Sequence, residues 1–344
     1  MNLRALLLIF LWGSSPLSYA QEQDTTYIQP YSQEIWLRAY TPTKMLILTQ
    51  GKKVYSPNYP FSLGLGIGLR KILGLNVLYA QNLFRLKNKT NLKTRSIDIQ
   101  AHKYGKRILI DAYYQDYTGF YIDRGKENYT LFPTLSTQQI GVESTYVWRA
   151  DKFSARAAFE QSERQVKSAG SLLFGSGFYW HRIEPDAKTE NVSTEAFENF
   201  QIGFHVGYGY SWVAGKHWLL TGAFMGGLNF GNQMDVLQDF NIKIYPTSIM
   251  RFSFVYLKDD WTVALSGIFN NKSVYPMDSK PIRLITPSIQ LSFTKHFYLK
   301  KKLPHPITFP ESTTNPSTER VKMRYLLPPS MIRYFFLISS TDNG

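Results

Sequence analysis

Apolar and polar positions alternate strictly over Phe61–Arg70, which reads FSLGLGIGLR. Phe61, Leu63, Leu65, Ile67 and Leu69 take the odd positions, and Ser62, Gly64, Gly66, Gly68 and Arg70 the even ones. A β-strand sends successive side chains to opposite faces, so this stretch predicts a strand with one apolar face and one small or polar face. Its length matches the roughly 9–11 residues a tilted strand needs to cross a bilayer. Phe200–Val213 repeats the pattern with larger side chains. Phe200, Ile202, Phe204, Val206, Tyr208, Tyr210 and Trp212 point one way; Gln201, Gly203, His205, Gly207, Gly209 and Ser211 point the other.

The same period predicts strands over Ile35–Leu48 (disturbed by Pro42), Leu75–Gln81, Ser96–Lys103, Arg107–Tyr117, Gln138–Arg149 and Phe153–Glu163, and, further on, over His217–Phe230, Ser248–Leu257, Trp261–Asn270 and Arg283–Phe297. Tight turns fall at Lys71–Gly74, Tyr104–Lys106, Ala150–Lys152, Gly215-Lys216 and Lys258–Asp260, whereas Asn82–Thr94 and Gly119–Leu135 read as long polar loops. Strands joined alternately by tight turns and long loops are the outer-membrane arrangement, with the short turns facing the periplasm. If Ala150–Lys152 and the turn after Val213 lie on the same side, an odd number of strands cannot cross between Phe153–Glu163 and Phe200–Val213. Gly170–Arg182 is therefore expected to be an extracellular hairpin or an inward constriction rather than a wall strand. The expectation is an all-β transmembrane antiparallel β-barrel of about twelve strands, an even number as bacterial barrels require, with ten or fourteen left open.

The ends of the chain differ from this pattern. Met1–Arg4 precede an apolar run from Ala5 to Trp12 and a small-x-small site, Ser18-Tyr19-Ala20. That combination predicts a signal peptide over residues 1–20, cut after Ala20. Residues 21–34 are then a polar periplasmic segment and 35–299 the barrel. Residues 300–344 open on Lys300–Lys302 and carry Pro304, Pro306, Pro310 and Pro316 among Ser and Thr, a basic, linker-like tail of open role. Within it, Met331–Ser339 is apolar again.

Composition narrows the class. There are no cysteines, so no disulfide, thiolate metal site or acylated lipobox Cys is available. No apolar run of about 18 residues follows the signal, which argues against a helical membrane protein. A mean hydropathy of -0.25 would suit a soluble chain, but half of each barrel strand faces a polar interior. Aromatics at 15% supply the girdles expected where a barrel meets the headgroups. A net charge of +14 behind an export signal points to anionic lipid headgroups or anionic solutes rather than nucleic acid.

Alternation also selects an inward polar set: Asp98, Gln100 and His102 on one strand, Asp111 on the next, Glu143, then Arg156 and Glu160, and His205 between glycines. Such a set could bind or filter a polar solute, or its members could pair with one another, Arg156 with Glu143 for instance. A hydrolase triad of His102, Asp111 and a serine such as Ser96 has no supporting spacing. The six histidines are scattered, and in Gly64-x-Gly66-x-Gly68 the third glycine is misplaced for a dinucleotide fingerprint and no helix follows. Neither a metal nor a cofactor is expected. The glycines are expected to make room for inward rings, Tyr113 or Tyr79.

Ala101–Arg107 (AHKYGKR) with Ile110-Asp111, Arg156–Glu163 (RAAFEQSE) running into Lys167–Ser171, and the Tyr27–Tyr31 start (YIQPY) resemble an uncharacterised family of Bacteroidetes envelope proteins, domain of unknown function forty-four twenty-one. The resemblance covers about Tyr27 to Phe297 and not the tail. It implies an outer-membrane barrel and assigns no activity, so no site carries over. Three functions stay open: a pore or transport component for small polar solutes, anionic ones included; a structural or surface-interaction barrel with a closed lumen; and, ranked last, a lipid-modifying outer-membrane enzyme. The expected partners are outer-membrane lipids including anionic headgroups, the barrel-assembly machinery and a small polar solute.

Overall fold

A computed structural model describes residues 25–44, 46–58, 63–69, 73–79, 92, 94–126, 128–188, 196–233, 241–274 and 282–298. All lie within one compact unit, Met1–Leu299; a second unit, Lys300–Gly344, lies outside the described residues, as do the expected signal peptide and Phe61-Ser62. The chain is built almost wholly of strands: β1 (Ile28–Pro30), β2 (Ile35–Lys44), β3 (Ile47–Gln50), β4 (Lys53–Pro57), β5 (Leu63–Leu69), β6 (Leu73–Tyr79), β7 (Arg95–Tyr104) and β8 (Ile108–Asp123). There follow β9 (Tyr129–Val147), β10 (Glu163–Gln165), β11 (Ala169–Glu184), β12 (Phe197–Ala214), β13 (Trp218–Asn232), β14 (Lys243–Lys258), β15 (Trp261–Val274) and β16 (Ile282–Phe297).

The wall is an antiparallel barrel, and it forks. Along its short-turn half, β2, β5, β6 and β7 connect β16 to β8 and close a ring of twelve strands with β9 and β11–β15. Towards the long-loop end the β3–β4 hairpin bridges the same two strands and closes a ring of ten. The change of partner is visible in the register. β16 pairs with β2 from Ser288 to Phe297 and with β3 from Ile282 to Ile285. β8 pairs with β7 up to Thr118 and with β4 at Phe120 and Tyr121. Gly119, at φ 92°, carries the bulge between the two regimes, a conformation that a side chain would strain.

The outward row is a belt of large apolar groups. Leu65, Ile67, Phe204, Tyr208, Phe224 and Leu291 are among those exposed, on strands whose pairing closes into a ring. A bilayer makes such a surface favourable, because ring closure pairs most of the wall's backbone while the apolar row meets lipid. Trp148, Trp212, Trp218 and Trp261 gather beside the short turns, and Trp261 stacks on Phe293 at 6.0 Å. They form an interfacial girdle at that end.

The glycine face of β5 does receive rings, but not that of Tyr113; the Tyr79 side chain lies outside the described residues. A Cβ on Gly68 would fall inside the indole of Trp36, and one on Gly64 inside the ring of Tyr40. Those rings come from the adjacent β2, where Trp36 lies opposite Gly68 and Tyr40 opposite Gly64. Tyr113 instead covers Gly141. Inward rings lie over the nearest bare backbone, which is set by cross-strand register.

Two strand assignments are exchanged. Gly170–Arg182 is not a hairpin or a constriction: it lies within the wall strand β11, paired with β9 on one side and β12 on the other. Phe153–Glu163 is not a wall strand. It folds inward from the short-turn end, with one π-helical turn at Arg156–Glu160 and Gln161 in the left-handed region at φ 55°. The parity argument demanded that one of the two leave the wall, and the chain removes the one whose would-be outward row is half alanine. Gly119–Leu135 is likewise no loop, because β8 and β9 run on through it as a long hairpin.

Candidate functional site

Three apolar clusters partition the interior. Near the long loops, Leu48, Tyr55, Phe120, Phe132, Ile183 and Leu284 are among the buried side chains that fill the lumen, two of them supplied by the β3–β4 hairpin. Near the short turns, the inserted segment fills it. Phe153 and Ala155 pack with Leu109, Val147, Leu173 and Met225, and Ala157 packs with Leu219, Val255, Leu257 and Ala264. Along β9 the order Leu135, Gln139, Glu143, Val147 passes from one apolar stopper, through a polar zone, to the other. A half-open cavity of about 180 Å³ lies in that zone.

Four ionic groups on its walls are matched to one another. Arg251 Nη2 lies 2.9 Å from Asp111 Oδ2 and 3.8 Å from Glu143 Oε2, and Lys272 Nζ lies 3.0 Å from Glu143 Oε1. The Asn270 amide donates to Glu143 at 3.2 Å, and the Tyr104 hydroxyl donates to Asp111 at 2.8 Å. Lys272 also bonds the Tyr113 hydroxyl and sits 3.7 Å over the Tyr179 ring. Burying these four charges is tolerable because each finds a counter-charge and further hydrogen bonds. Arg38, also on the wall, is held by neutral acceptors, and neutral Gln100, Gln139, Thr286, Ser288 and Gln290 are among the other lining groups.

The inserted segment is tied to this zone by polar contacts. Arg38, opposite Gly66 on β5, donates to the Glu160 carbonyl, to Gln161 Oε1 at 2.8 Å and to Thr294 at 3.0 Å. His102 Nε2 stands 3.7 Å from Glu160 Oε1. Arg156 stays within the segment, 3.8 Å from Glu160 and 3.5 Å from Glu163. Burial raises the Glu160 carboxyl above its usual range, against the pull of the Ser162 hydroxyl, Arg156 and Arg38.

The eight residues singled out by alternation divide accordingly. Gln100, His102, Asp111 and Glu143 line the cavity. Asp98 accepts from Gln100, Gln115 and Tyr117 on the inner wall, and His205 is buried on β12. Arg156 and Glu160 lie inside the barrel, but on the inserted segment rather than on a strand, so the Glu143–Arg156 pair does not form; Glu143 takes Lys272 and Arg251 instead. His102 faces Asp111 across β7 and β8, yet both Asp111 oxygens are engaged by Tyr104 and Arg251. Ser96 lies six residues up β7, about 20 Å away at the strand rise, so no triad assembles there. Sequence reading missed Arg38, Arg251 and Lys272. Arg251 was legible, since it is out of phase with the outward Met250 and Phe254. Lys272 lay just past the expected end of its strand.

A family model described as "Domain of unknown function (DUF4421)" matches residues 22–294. No curated protein matches the chain. Solved structures superpose loosely. "Outer-membrane expressed OmpT of Vibrio cholerae" shares 8% identity at a TM-score of 0.27, covering 78% of this chain and 100% of its own. The Pseudomonas putida toluene transporter TodX shares 7% at 0.28, covering 78% and 90%. An outer membrane channel from Pseudomonas putida F1 shares 6% at 0.27, covering 82% and 99%. Superposition at this level says nothing of what this chain carries.

Proposed function

The chain belongs to the DUF4421 family, and we propose that it is an outer-membrane barrel with a gated lumen, shut at rest, that passes small polar solutes. One observation carries this reading: a polar cavity sits behind a segment that enters from the short-turn end and is held by side-chain ties rather than by the wall's ladder. A barrel serving only as scaffold has no need of such a cavity. The matched charges favour neutral or zwitterionic solutes over anions, since an anion would compete with Asp111 and Glu143 for Arg251 and Lys272. The reading takes the outer membrane as location, its lipid headgroups as the surrounding surface and the assembly machinery as the route of insertion; the barrel architecture is consistent with all three.

Access of a small charged thiol reagent to Ser288→Cys, on the cavity wall, tests this from the short-turn side, because the long-loop stopper blocks conduction through the barrel. The otherwise wild-type chain is expected to label slowly, and a variant with 152–166 replaced by a short Gly-Ser linker to label readily. A folded linker variant that labels no faster would sink the reading. The second reading, a permanently closed interaction barrel, draws its support from the apolar stopper at the long-loop end, to which β3 and β4 contribute Leu48 and Tyr55.

A further inference from the structure

The inserted segment is strapped at the short-turn mouth by the chain's own N-terminal strand. β1 pairs antiparallel with β10, Ile28 opposite Gln165 and Gln29 opposite Arg164. The Val166 amide donates to the Tyr27 carbonyl at 2.7 Å. Lys152 and Lys167, at the two ends of the insertion, each stand 5.2 Å over the Tyr27 ring. Ile28 is wholly buried. On its other side the strap is fastened to the barrel rim. Tyr31 stacks on His296 at 4.0 Å, the Ser32 and Tyr298 hydroxyls bond at 2.8 Å, and the Glu34 amide donates to the Phe297 carbonyl at 3.1 Å. Tyr31 also joins the cluster in which Ala157 meets Leu219 and Val255.

We infer that β1 is a latch: drawing Tyr27–Ser32 away from the short-turn mouth frees the inserted segment and opens the lumen to that side. The inference rests on the gated-lumen reading and names the part that controls it. Its physical basis is a disparity in holding strength. β1 exchanges a three-residue ladder with β10, and a two-stranded ribbon is marginal by itself. The wall strands that flank the insertion exchange far longer ladders, β9 with β11 from Ser136 to Val147 and β11 with β12 from Ala169 to Ile183. A pull at the N-terminal side therefore breaks the strap long before it disturbs the wall. The latch must also act through the rim. The linker Tyr31–Glu34 runs straight into β2, so a β10 fixed to β1 stays within a few residues of the wall.

The absence of native cysteine makes the test clean. The full chain carrying Ser288→Cys on the cavity wall is folded in detergent micelles, and folding is checked by the urea-resistant band on unheated gels. The rate at which a small charged thiol reagent labels that cysteine reads the opening. Ile28→Asp and, as a milder variant, Tyr31→Ala are expected to raise the rate about tenfold. Gln29→Cys with Arg164→Cys is then added to the Ile28→Asp chain and oxidised before labelling. Directly opposed residues lie about 5.5 Å apart at Cα, within disulfide reach. The cross-link is expected to return labelling to the parent rate. If folded Ile28→Asp and Tyr31→Ala label no faster than the parent while the Gly-Ser linker variant labels readily, the latch is wrong and the gated lumen stands. A cross-link that leaves the fast labelling of Ile28→Asp unchanged also overturns the latch. A linker variant that labels no faster than the parent overturns both.

Discussion

Two neighbouring segments carry nearly the same alternation and end in different places. Gly170–Arg182 enters the wall as part of β11; Phe153–Glu163 folds into the lumen. In β11 the outward row is Leu172, Phe174 and Phe178, each more than two-fifths exposed, and the inward row includes Ser171, Tyr179 and His181, all essentially buried. In the insertion the apolar row is Phe153, Ala155, Ala157 and Phe159, while the other row carries Arg156 and Glu160. Alternation says that a segment has two faces. The volume of the apolar face decides whether lipid or the lumen receives it. Two alanines offer a bilayer little, whereas small side chains fit between Leu219, Val255 and Ala264 inside the barrel.

That comparison can be broken or sharpened by substitution. The largest effect is expected at the charge pair the insertion covers. Glu143→Gln leaves Lys272 without its nearest counter-charge and should lower barrel stability by about 3–5 kcal/mol. The urea midpoint of the folded gel band measures it, and a change below about 1 kcal/mol would mean the pair is hydrated. Next, Phe178→Arg on the outward row of β11 should cost about 2–4 kcal/mol if that row meets the bilayer core. Ala158→Arg, at a buried position on the insertion, should leave the wall's urea midpoint nearly unmoved and instead speed thiol labelling of Ser288→Cys. Equal losses of stability at the two sites would erase the distinction between wall and insertion.

Smaller effects follow. Gly68→Val drives a side chain into the Trp36 indole and should cost about 1–3 kcal/mol, with a shift in Trp emission; Trp36→Ala in the same chain should recover part of it. The smallest effect concerns pH. Glu160 holds its proton more readily when seated than when released, so the insertion sits most firmly below the ordinary carboxylate range. Its seat loosens as pH rises through the raised Glu160 value. Arg38, His102, Arg156, Glu163 and Ser162 surround that group, and Glu160→Gln should flatten the dependence of open fraction on pH. A slope unchanged by that substitution would assign the titration to another group.

Much of the wall was legible because a strand in a barrel answers to two local rules, period two and turn chemistry. The hairpins at Tyr104–Lys106 and Lys258–Asp260 follow from those rules, as does the inward placement of Asp98, His102 and Glu143. The family followed from short phrases of sequence, and its model spans the barrel region. The cavity was legible only in part. Asp111 and Glu143 could be put on inner faces, but their partners Arg251 and Lys272 lie more than a hundred residues away in sequence, and nothing local announces that they meet.

The sequence by itself determined an all-β antiparallel barrel, an even strand number near twelve, and one face of glycines awaiting rings. These depend on side-chain direction along a strand, which each residue's neighbours dictate. Only the tertiary structure decided that Trp36 and Tyr40 cover those glycines, that β3 and β4 replace four strands at one end, and that Phe153–Glu163 is the stopper and Gly170–Arg182 the stave. Those outcomes turn on closure: a ring admits a segment only if its outward row can meet lipid, and what the ring leaves out must fill its lumen.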